Sequence, residues 1–378
     1  MLRPISDAER IRRRTFLHKN AGLLSGAVAA SFTDLTTVGA TEPTAQTKAN
    51  TAASSDPAAI WASRERLPVA LIVDDPMPCV NPLYYFRLQV NKESEPPLAK
   101  TIPLALLEEF GQLVKAFGAR GAFTIVPFPA GLGSIAQGLA GYDNAELKQW
   151  LDLARQYLHD GFDIHPEVLT HTLALNLETK KLLDISEHDW MGKQNEATLT
   201  KYFVEALQIL KSVELPAHGV TQPCYFRGDE DAYAQALLNA EKLVNGRKQT
   251  HYFLDVFQNH PGRIPYCRIA NADAGEFVVS IPGVFDGLWP ANDGETDAEK
   301  MADFFLTADG KSGHLAQLAT DRRPLVFSTH WQSLYGNGSL AGLHGLRILL
   351  ERIDRHLKGF EWMKLSEIAD VTIKAHQV

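Results

Sequence analysis

Two adjacent carboxylates follow an apolar run early in the chain. Residues Leu71 to Val73 run directly into Asp74 and Asp75. Because neighbouring side chains near a strand end point in different directions, one carboxylate can bind a metal ion while the other accepts a proton from a water on that ion. An Asp-Asp pair before Pro76 is also typical of a turn, so the pair alone leaves both interpretations open.

The stretch from His165 to His171 holds two histidines and Glu167 within seven residues. Imidazole and carboxylate groups are the ligands that zinc and related divalent metals take. With Asp75, the two histidines would supply three protein ligands and leave positions open for water, and Glu167 is a reserve ligand or an acid/base. The alternative is an ordinary loop histidine and a surface histidine. A separation of six does not place both rings on one helical face, so the chain must turn between them.

A third polar group closes another apolar run, where Leu325 to Phe327 leads into His330. Trp331, Gln332 and Tyr335 follow in a segment bordered by glycine. Aromatic rings and amides are typical of a surface that binds carbohydrate. A core tryptophan followed by a polar turn is an equally consistent interpretation.

Alternating strand-like and helix-like segments position these groups. Short apolar runs predict buried parallel strands, and amphipathic stretches such as Leu199 to Leu210 and Leu340 to Leu357 predict helices between them. The alternation predicts an α/β fold, and its repeat count fits a barrel. Active sites of parallel folds form at the carboxyl ends of strands, where the polar groups fall. The predicted strands are 68–75, 121–127, 162–165, 219–226, 251–256, 277–282 and 324–330.

The first forty residues predict an export signal. Arg12, Arg13 and Arg14 precede a short uncharged stretch and then a small-residue cleavage site that ends at Ala40. The paired arginines resemble a twin-arginine signal, which the twin-arginine translocase recognises; an amphipathic N-terminal helix is the alternative. We predict a signal peptide over 1–40, a flexible linker over 41–57 and one folded domain over 58–378. The protein would then be bacterial, and periplasmic or secreted.

The composition excludes several classes of function. The 378 residues are 45% hydrophobic and 22% charged, which is globular composition. The net charge is −8 although the first forty residues are basic, so the acidic remainder is unsuited to nucleic acid. No run of eighteen apolar residues exists, which argues against an integral membrane span. Three cysteines are too few for a disulfide scaffold, although an oxidising compartment would allow one bridge.

The order of these motifs resembles that of the polysaccharide deacetylase superfamily. Asp74 and Asp75 stand at the first strand end, the two-histidine stretch at the third, Arg227 after the fourth and His330 at the last. The resemblance spans most of the chain after the linker. It implies a single-domain, distorted (β/α)7 barrel of the polysaccharide-deacetylase and glycoside-hydrolase type.

The resemblance also implies roles for individual residues. A divalent metal, with zinc as the first choice, would be bound by Asp75, His165 and His171. Asp74 would be the general base, and His330 would be the general acid that protonates the leaving amine or alcohol. Arg227 would correspond to the arginine that supports the base. The predicted substrate-contacting residues are Arg227, Trp331, Gln332 and Tyr335.

The chain departs from the superfamily pattern in several places. Its Ile-Val-Asp-Asp-Pro differs from the usual Thr-Phe-Asp-Asp-Gly, and its histidines are six rather than four residues apart. Gly228 and Asp229 follow Arg227 where two prolines and an aromatic residue are usual. The Asp-Trp motif of the superfamily has no clear equivalent, and Asp255 and Asp286 are no more than candidates for its aspartate. These departures indicate a divergent branch.

The sequence therefore predicts a metal-dependent hydrolase that deacetylates an N- or O-acetylated carbohydrate in the cell envelope. Two alternatives stay open. One is a glycosidase or lyase on the same barrel, with Glu167 as an acid or base. The other is a non-catalytic periplasmic carbohydrate-binding protein that uses Trp289, Trp331 and Tyr335.

Overall fold

The computed structural model describes residues 57–79, 101–158, 160–254, 256–257 and 264–377. The predicted signal peptide, nearly all of the predicted linker and Asp255 lie outside these ranges. All described residues belong to one compact unit. Among them, no helix has the length and apolar character needed to cross a membrane.

Strands and helices alternate along the described chain. The strands are β1 (Leu67–Asp74), β2 (Gly121–Ile125), β3 (Phe162–Pro166), β4 (Leu173–Asn176), β5 (Lys181–Ser186), β6 (Val220–Thr221), β7 (Gln249–Phe253), β8 (Val256–Phe257), β9 (Tyr266–Asn271), β10 (Glu276–Ser280), β11 (Gly283–Val284), β12 (Leu325–His330) and β13 (Phe360–Trp362). The helices are α1 (Pro57–Ala62), α2 (Leu104–Ala116), α3 (Asn144–Leu158), α4 (Glu187–Met191), α5 (Glu196–Ser212), α6 (Glu230–Asn245), α7 (Ala298–Phe305), α8 (His314–Thr320), α9 (Trp331–Tyr335), α10 (Ala341–His356) and α11 (Leu365–His376).

The strands form a ring with seven positions. One sheet has the order β3-β2-β1-β12-β11-β8, and a second has the order β6-β7-β10-β9. Strands β7 and β8 follow one another along the chain and pair with β10 and β11 respectively, so the two sheets are continuous on one side. On the other side a parallel bridge between Glu167 and Thr221 joins β3 to β6. The structure is therefore the predicted α/β fold, a distorted barrel whose seven positions are β1, β2, β3, β6, β7/β8, β10/β11 and β12.

Alternation along β1 separates the two faces of the barrel wall. Val69, Leu71 and Val73 pack into the larger apolar cluster with the surrounding helices. Ala70 and Ile72 pack into a second cluster with α1 and α11. All eight residues of β1 are buried, as expected for a parallel strand covered on both faces. Asp74, two positions after Ile72, therefore shares its face, at the carboxyl end of the strand.

The predicted strands agree with the structure except at β6. The prediction covered 219–226, but the strand contains only Val220 and Thr221. Pro223 cannot donate a backbone hydrogen bond to a sheet, and Cys224 has a positive φ of 59°. The chain therefore leaves the barrel wall early at this position. The three cysteines, Cys79, Cys224 and Cys267, are all free.

Candidate active site

Three buried side chains from two strand ends converge at the carboxyl end of the barrel. Asp75 follows β1, and Glu167 and His171 follow β3. The Nε2 atom of His171 lies 2.7 Å from Oδ1 of Asp75 and 2.8 Å from Oε1 of Glu167. One ligand atom from each residue lies within 4.8 Å of the others. Two carboxylate oxygens and one imidazole nitrogen form a donor set that fits a divalent cation.

The backbone is held in uncommon conformations around this cluster. Asp75, Val168 and His171 have positive φ values of 60°, 26° and 56°. Such values are costly for residues other than glycine and persist only where the surroundings enforce them. Here they allow the chain to turn between Glu167 and His171, so that two side chains four residues apart meet outside a helix.

Glu187, at the start of α4, stabilises the turn between Glu167 and His171 through backbone hydrogen bonds. Its carboxylate accepts hydrogen bonds from the backbone N–H groups of Thr170 (2.9 Å) and His171 (2.7 Å). The hydroxyl of Tyr202 also donates to it, at 2.8 Å. Glu187 is 1% exposed, so these buried bonds set the position of the His171 ring.

The cluster favours a positive charge between its carboxylates. Burial raises the pKa of Glu167 to about 8, and the charge of Asp75 acts in the same direction. Burial acts against ionisation of Asp75 as well, but the neighbouring His171 holds the pKa of Asp75 well below its usual value. Burial opposes protonation of His171, yet Asp75 and Glu167 raise its pKa well above the usual range. The positive charge that this site attracts can be carried by His171 or by a bound cation.

The structure places one predicted metal ligand, His165, outside this cluster. His165 lies two positions before Glu167 on the same strand face, deeper in the barrel, and its Nε2 atom is 2.9 Å from Nε2 of His251. It does not belong to the cluster of Asp75 and His171, in which Glu167, the predicted reserve ligand, takes its place. The signal was present in the sequence: Glu167 and His171 are four residues apart, as the superfamily's two histidines are.

Asp74 lies beside this cluster without being part of it. Its Oδ1 atom accepts a hydrogen bond of 3.3 Å from the hydroxyl of Thr124, which also interacts with Glu167 at 2.8 Å. Burial raises the pKa of Asp74 to about 7, against the opposing charge of His330. A cation beside Asp75 would lower the pKa of Asp74.

His330 is the register partner of Asp74 on the neighbouring strand β12. Its Nδ1 atom lies 3.0 Å from Oδ2 of Asp286, and the side chain is 17% exposed. The same carboxylate accepts hydrogen bonds from the backbone N–H of His330 and from the hydroxyl of Ser333. Although burial opposes it, the Asp286 hydrogen bond and charge raise the pKa of His330 to about 9. His330 is therefore an imidazolium at neutral pH, with Nδ1 directed at Asp286.

Four residues had been predicted to contact substrate, and the structure places them in different surroundings. Trp331 is fully buried, with ring centroids 5.7 Å from Phe110 and 5.6 Å from Phe123, and is a core residue. Tyr335 is half-buried and packs against the same core. Arg227 is exposed, with its guanidinium 4.5 Å from the centre of the Tyr225 ring, and among the described residues no ion pair joins it to Asp74.

Gln332 is part of the site, in a role that the sequence did not predict. Its side-chain amide donates a hydrogen bond of 2.5 Å to Oδ2 of Asp75. Gln332 is 3% exposed, so it orients the carboxylate from behind. Trp289 is half-buried, and its ring meets that of His330 edge to face, with ring centroids 4.8 Å apart.

Sequence reasoning missed three supporting residues. Thr124 is a lone polar residue in the apolar run of β2, and its register with Asp74 could be seen only in the assembled sheet. Asp286 was considered only as the aspartate of a missing motif. Glu187 lies on the next helix, sixteen residues after His171, and no local sequence pattern marked it.

The chain was also compared with known proteins. No protein-family model matches it, and no curated protein gives a significant match. Among solved structures, it is similar to a protein from Mycobacterium smegmatis provisionally described as a polysaccharide deacetylase, at 14% identity and a TM-score of 0.46, over 84% of this chain and 93% of that one. It is similar to the PuuE allantoinase at 16% identity and a TM-score of 0.44, over 86% and 96% of the two chains. A family 4 carbohydrate esterase from Streptomyces lividans, solved with acetate, has 10% identity and a TM-score of 0.36, over 78% and 90%. The solved structures to which this chain is similar thus include proteins described as polysaccharide or peptidoglycan deacetylases and carbohydrate esterases.

Proposed function

We propose that this protein is a metal-dependent hydrolase that removes acetyl groups from an N- or O-acetylated carbohydrate. One observation carries the proposal. Asp74 and His330 are register partners on adjacent strands, and the next residue, Asp75, turns into a separate buried cluster with Glu167 and His171. Proton-transferring groups and cation-binding groups therefore lie side by side at the end of the barrel where active sites form.

Each residue then has a distinct task. A divalent cation bound by Asp75, Glu167 and His171 would supply positive charge to the acetyl carbonyl and to the attacking water. Asp74 accepts a proton from that water as the general base, because a cation beside Asp75 favours its ionised form. His330 donates its proton to the nitrogen or oxygen that leaves, and Asp286 keeps the imidazole charged and oriented.

The structure gives little support to the two alternatives. Glu167, the acid/base of a glycosidase or lyase, is 2% exposed. Its carboxylate contacts the backbone N–H of Asp75, the hydroxyl of Thr124 and the His171 ring, at 2.6 to 2.8 Å. Of the three rings assigned to a carbohydrate-binding protein, Trp331 is fully buried in the core, whereas Trp289 and Tyr335 are half-buried.

Export by the twin-arginine route is part of the proposal, supported by the sequence before residue 41. We expect the mature protein to begin at Thr41, because Val38-Gly39-Ala40 forms a small-residue cleavage site. N-terminal sequencing of the protein from the periplasm or medium checks this. A mature protein that retains Met1 would contradict it.

Replacing Asp286 should change the pH dependence of the reaction. The pKa of His330 is raised to about 9, so the proton donor is present below that pH and is lost as the pH rises through it. Asp286→Asn removes the partner charge, so the basic limb of kcat/KM against pH should move down by about 1–3 pH units, the effect of one close opposite charge. His330→Gln should lower the rate and abolish that limb. An unchanged limb in Asp286→Asn would show that another group titrates there.

The class of reaction is tested by the products. The purified protein is incubated with N-acetylated chitooligosaccharides and with acetylated xylan, and acetate and new reducing ends are measured in the same samples. The proposal expects acetate to appear without new reducing ends from at least one substrate. New reducing ends without acetate would instead support a glycosidase or lyase, and binding without either product would support the carbohydrate-binding protein.

A further inference from the structure

A second group of metal-binding side chain types is buried deeper in the barrel. Asp163 and His165 lie on β3 and His251 lies on β7, and one ligand atom from each is within 4.8 Å of the others. His165 and His251 are fully buried and Asp163 is 5% exposed. His165 and Asp163 lie two and four residues before Glu167, so the three share one strand face at steps of about 6.6 Å. This second cluster is therefore distinct from the candidate active site above it.

The two imidazoles face each other through the atoms that bind metals. Nε2 of His165 and Nε2 of His251 are 2.9 Å apart. Gly219 has a φ of +107°. A Cβ atom at this position would lie 2.8 Å from Nε2 of His251 and 2.9 Å from Nε2 of His165. Any residue other than glycine at position 219 would place its Cβ atom too close to both Nε2 atoms. Glycine keeps the space beside both nitrogens free of a side chain.

The surroundings hold two of the three side chains in place. Nδ1 of His165 hydrogen-bonds with the hydroxyl of Thr221 at 3.1 Å, and a histidine that binds a metal usually has such an oxygen partner on its other ring nitrogen. The Asp163 carboxylate accepts hydrogen bonds from the backbone N–H of Ser366 at 2.6 Å and from its hydroxyl at 2.9 Å. Oδ2 of Asp163 is 4.0 Å from Nε2 of His251.

Without a metal ion, the two buried histidines leave part of their hydrogen-bonding capacity unused. Only one of the two Nε2 atoms needs to carry a hydrogen for the pair to bond, and within the described residues Nδ1 of His251 has no hydrogen-bond partner. His251 is thus left with one hydrogen bond for two ring nitrogens in a fully buried position, which is costly. A cation shared by both Nε2 atoms would replace that single contact by two coordinate bonds.

We propose that Asp163, His165 and His251 form a second, structural site for a divalent transition-metal ion, and that zinc suits its donor set of two imidazoles and a carboxylate. The site lies at the seam of the barrel, because β3 belongs to one sheet and β7 to the other. The strand between them, β6, has two residues and meets β3 through a single bridge. A bound ion ties the two sheets together below Glu167, and so helps to place it.

Anomalous diffraction tests the site in the unaltered protein. Crystals of the full mature chain are grown with Zn²⁺, and data are collected on both sides of the zinc absorption edge. We expect an anomalous peak at about 2.0–2.1 Å from Nε2 of both His165 and His251. A map without a peak there, whether or not one lies at Asp75, Glu167 and His171, would overturn the proposal and leave a hydrogen-bonded histidine pair.

Metal stoichiometry provides an independent test with matched variants. Chelator-stripped protein is equilibrated with Zn²⁺ and dialysed, and the ions per chain are counted. His251→Gln should lose one ion while keeping the one at the candidate active site, and His314→Gln, a partly exposed histidine on α8, should lose none. If His251→Gln does not fold, Thr221→Val should weaken this site by about 10–100-fold. Equal occupancy in wild type and His251→Gln, or equal affinity in Thr221→Val, would contradict the proposal.

Discussion

Asp74→Asn should lower the rate of acetate release by about 10²–10⁴-fold, the usual contribution of a general base. Asparagine has nearly the same shape and can still interact with the Thr124 hydroxyl, but it cannot accept a proton from water. Because Asp74 is not one of the three clustered ligands, the variant should keep the active-site metal, bound more weakly only by the loss of one neighbouring negative charge. The measurement is kcat on an acetylated carbohydrate, together with metal affinity in the same preparation.

The same chemical change on the surface provides the control. Asp354 is exposed on α10, and Asp354→Asn should have the rate and the metal affinity of wild type. A rate for Asp74→Asn within a few-fold of that control would assign the base elsewhere. Loss of the active-site ion in Asp74→Asn would make Asp74 a ligand and contradict the division of roles.

Glu167→Gln should weaken metal binding at the active site by more than about 100-fold. Replacing a residue that only hydrogen-bonds to a metal ligand typically lowers metal affinity by about 10–100-fold. It removes one of two negative charges that face the ion and leaves a neutral amide oxygen, a weaker donor. Activity should fall with occupancy. Isothermal titration of chelator-stripped protein with Zn²⁺ measures the affinity directly.

Two further variants show which ion is affected. His171→Gln should lose the same binding event as Glu167→Gln, because both residues contact one cluster. Glu187→Gln, which acts only by holding the His171 backbone, should have a smaller effect. If Glu167→Gln bound Zn²⁺ like wild type, Glu167 would not be a ligand and the active-site assignment would be wrong.

The sequence predicted the fold more completely than the site because the barrel follows from repeated local patterns. Apolar runs and amphipathic stripes recur along the chain, and each predicts its own element. The shortened β6 shows the limit of this reasoning. An apolar run that includes Pro223 still resembles a strand, and the backbone turn at Cys224 becomes visible only in three dimensions.

The site depends on contacts between distant segments, which explains why the structure groups its residues differently from the sequence prediction. His165 and Glu167 alternate onto the same strand face, so the sequence alone could not decide which of them reaches Asp75. The turn at Val168, with a φ of 26°, brings His171 back to Glu167, whereas His165 meets His251 from another strand. Trp331 shows a second limit. A tryptophan at this position fits both a carbohydrate-binding surface and a hydrophobic core, and only its packing against Phe110 in the structure identifies it as a core residue.

The most direct test of the account is acetate release by chelator-stripped enzyme during titration with Zn²⁺. In the structure, His171 lies between Asp75 and Glu167 at 2.7 and 2.8 Å, and a protonated imidazole could supply the positive charge that we assign to a metal ion. The account predicts that the stripped enzyme releases no acetate and that activity returns in proportion to occupancy of the site lost in Glu167→Gln. Full activity of the stripped enzyme, unchanged by added Zn²⁺, would contradict it.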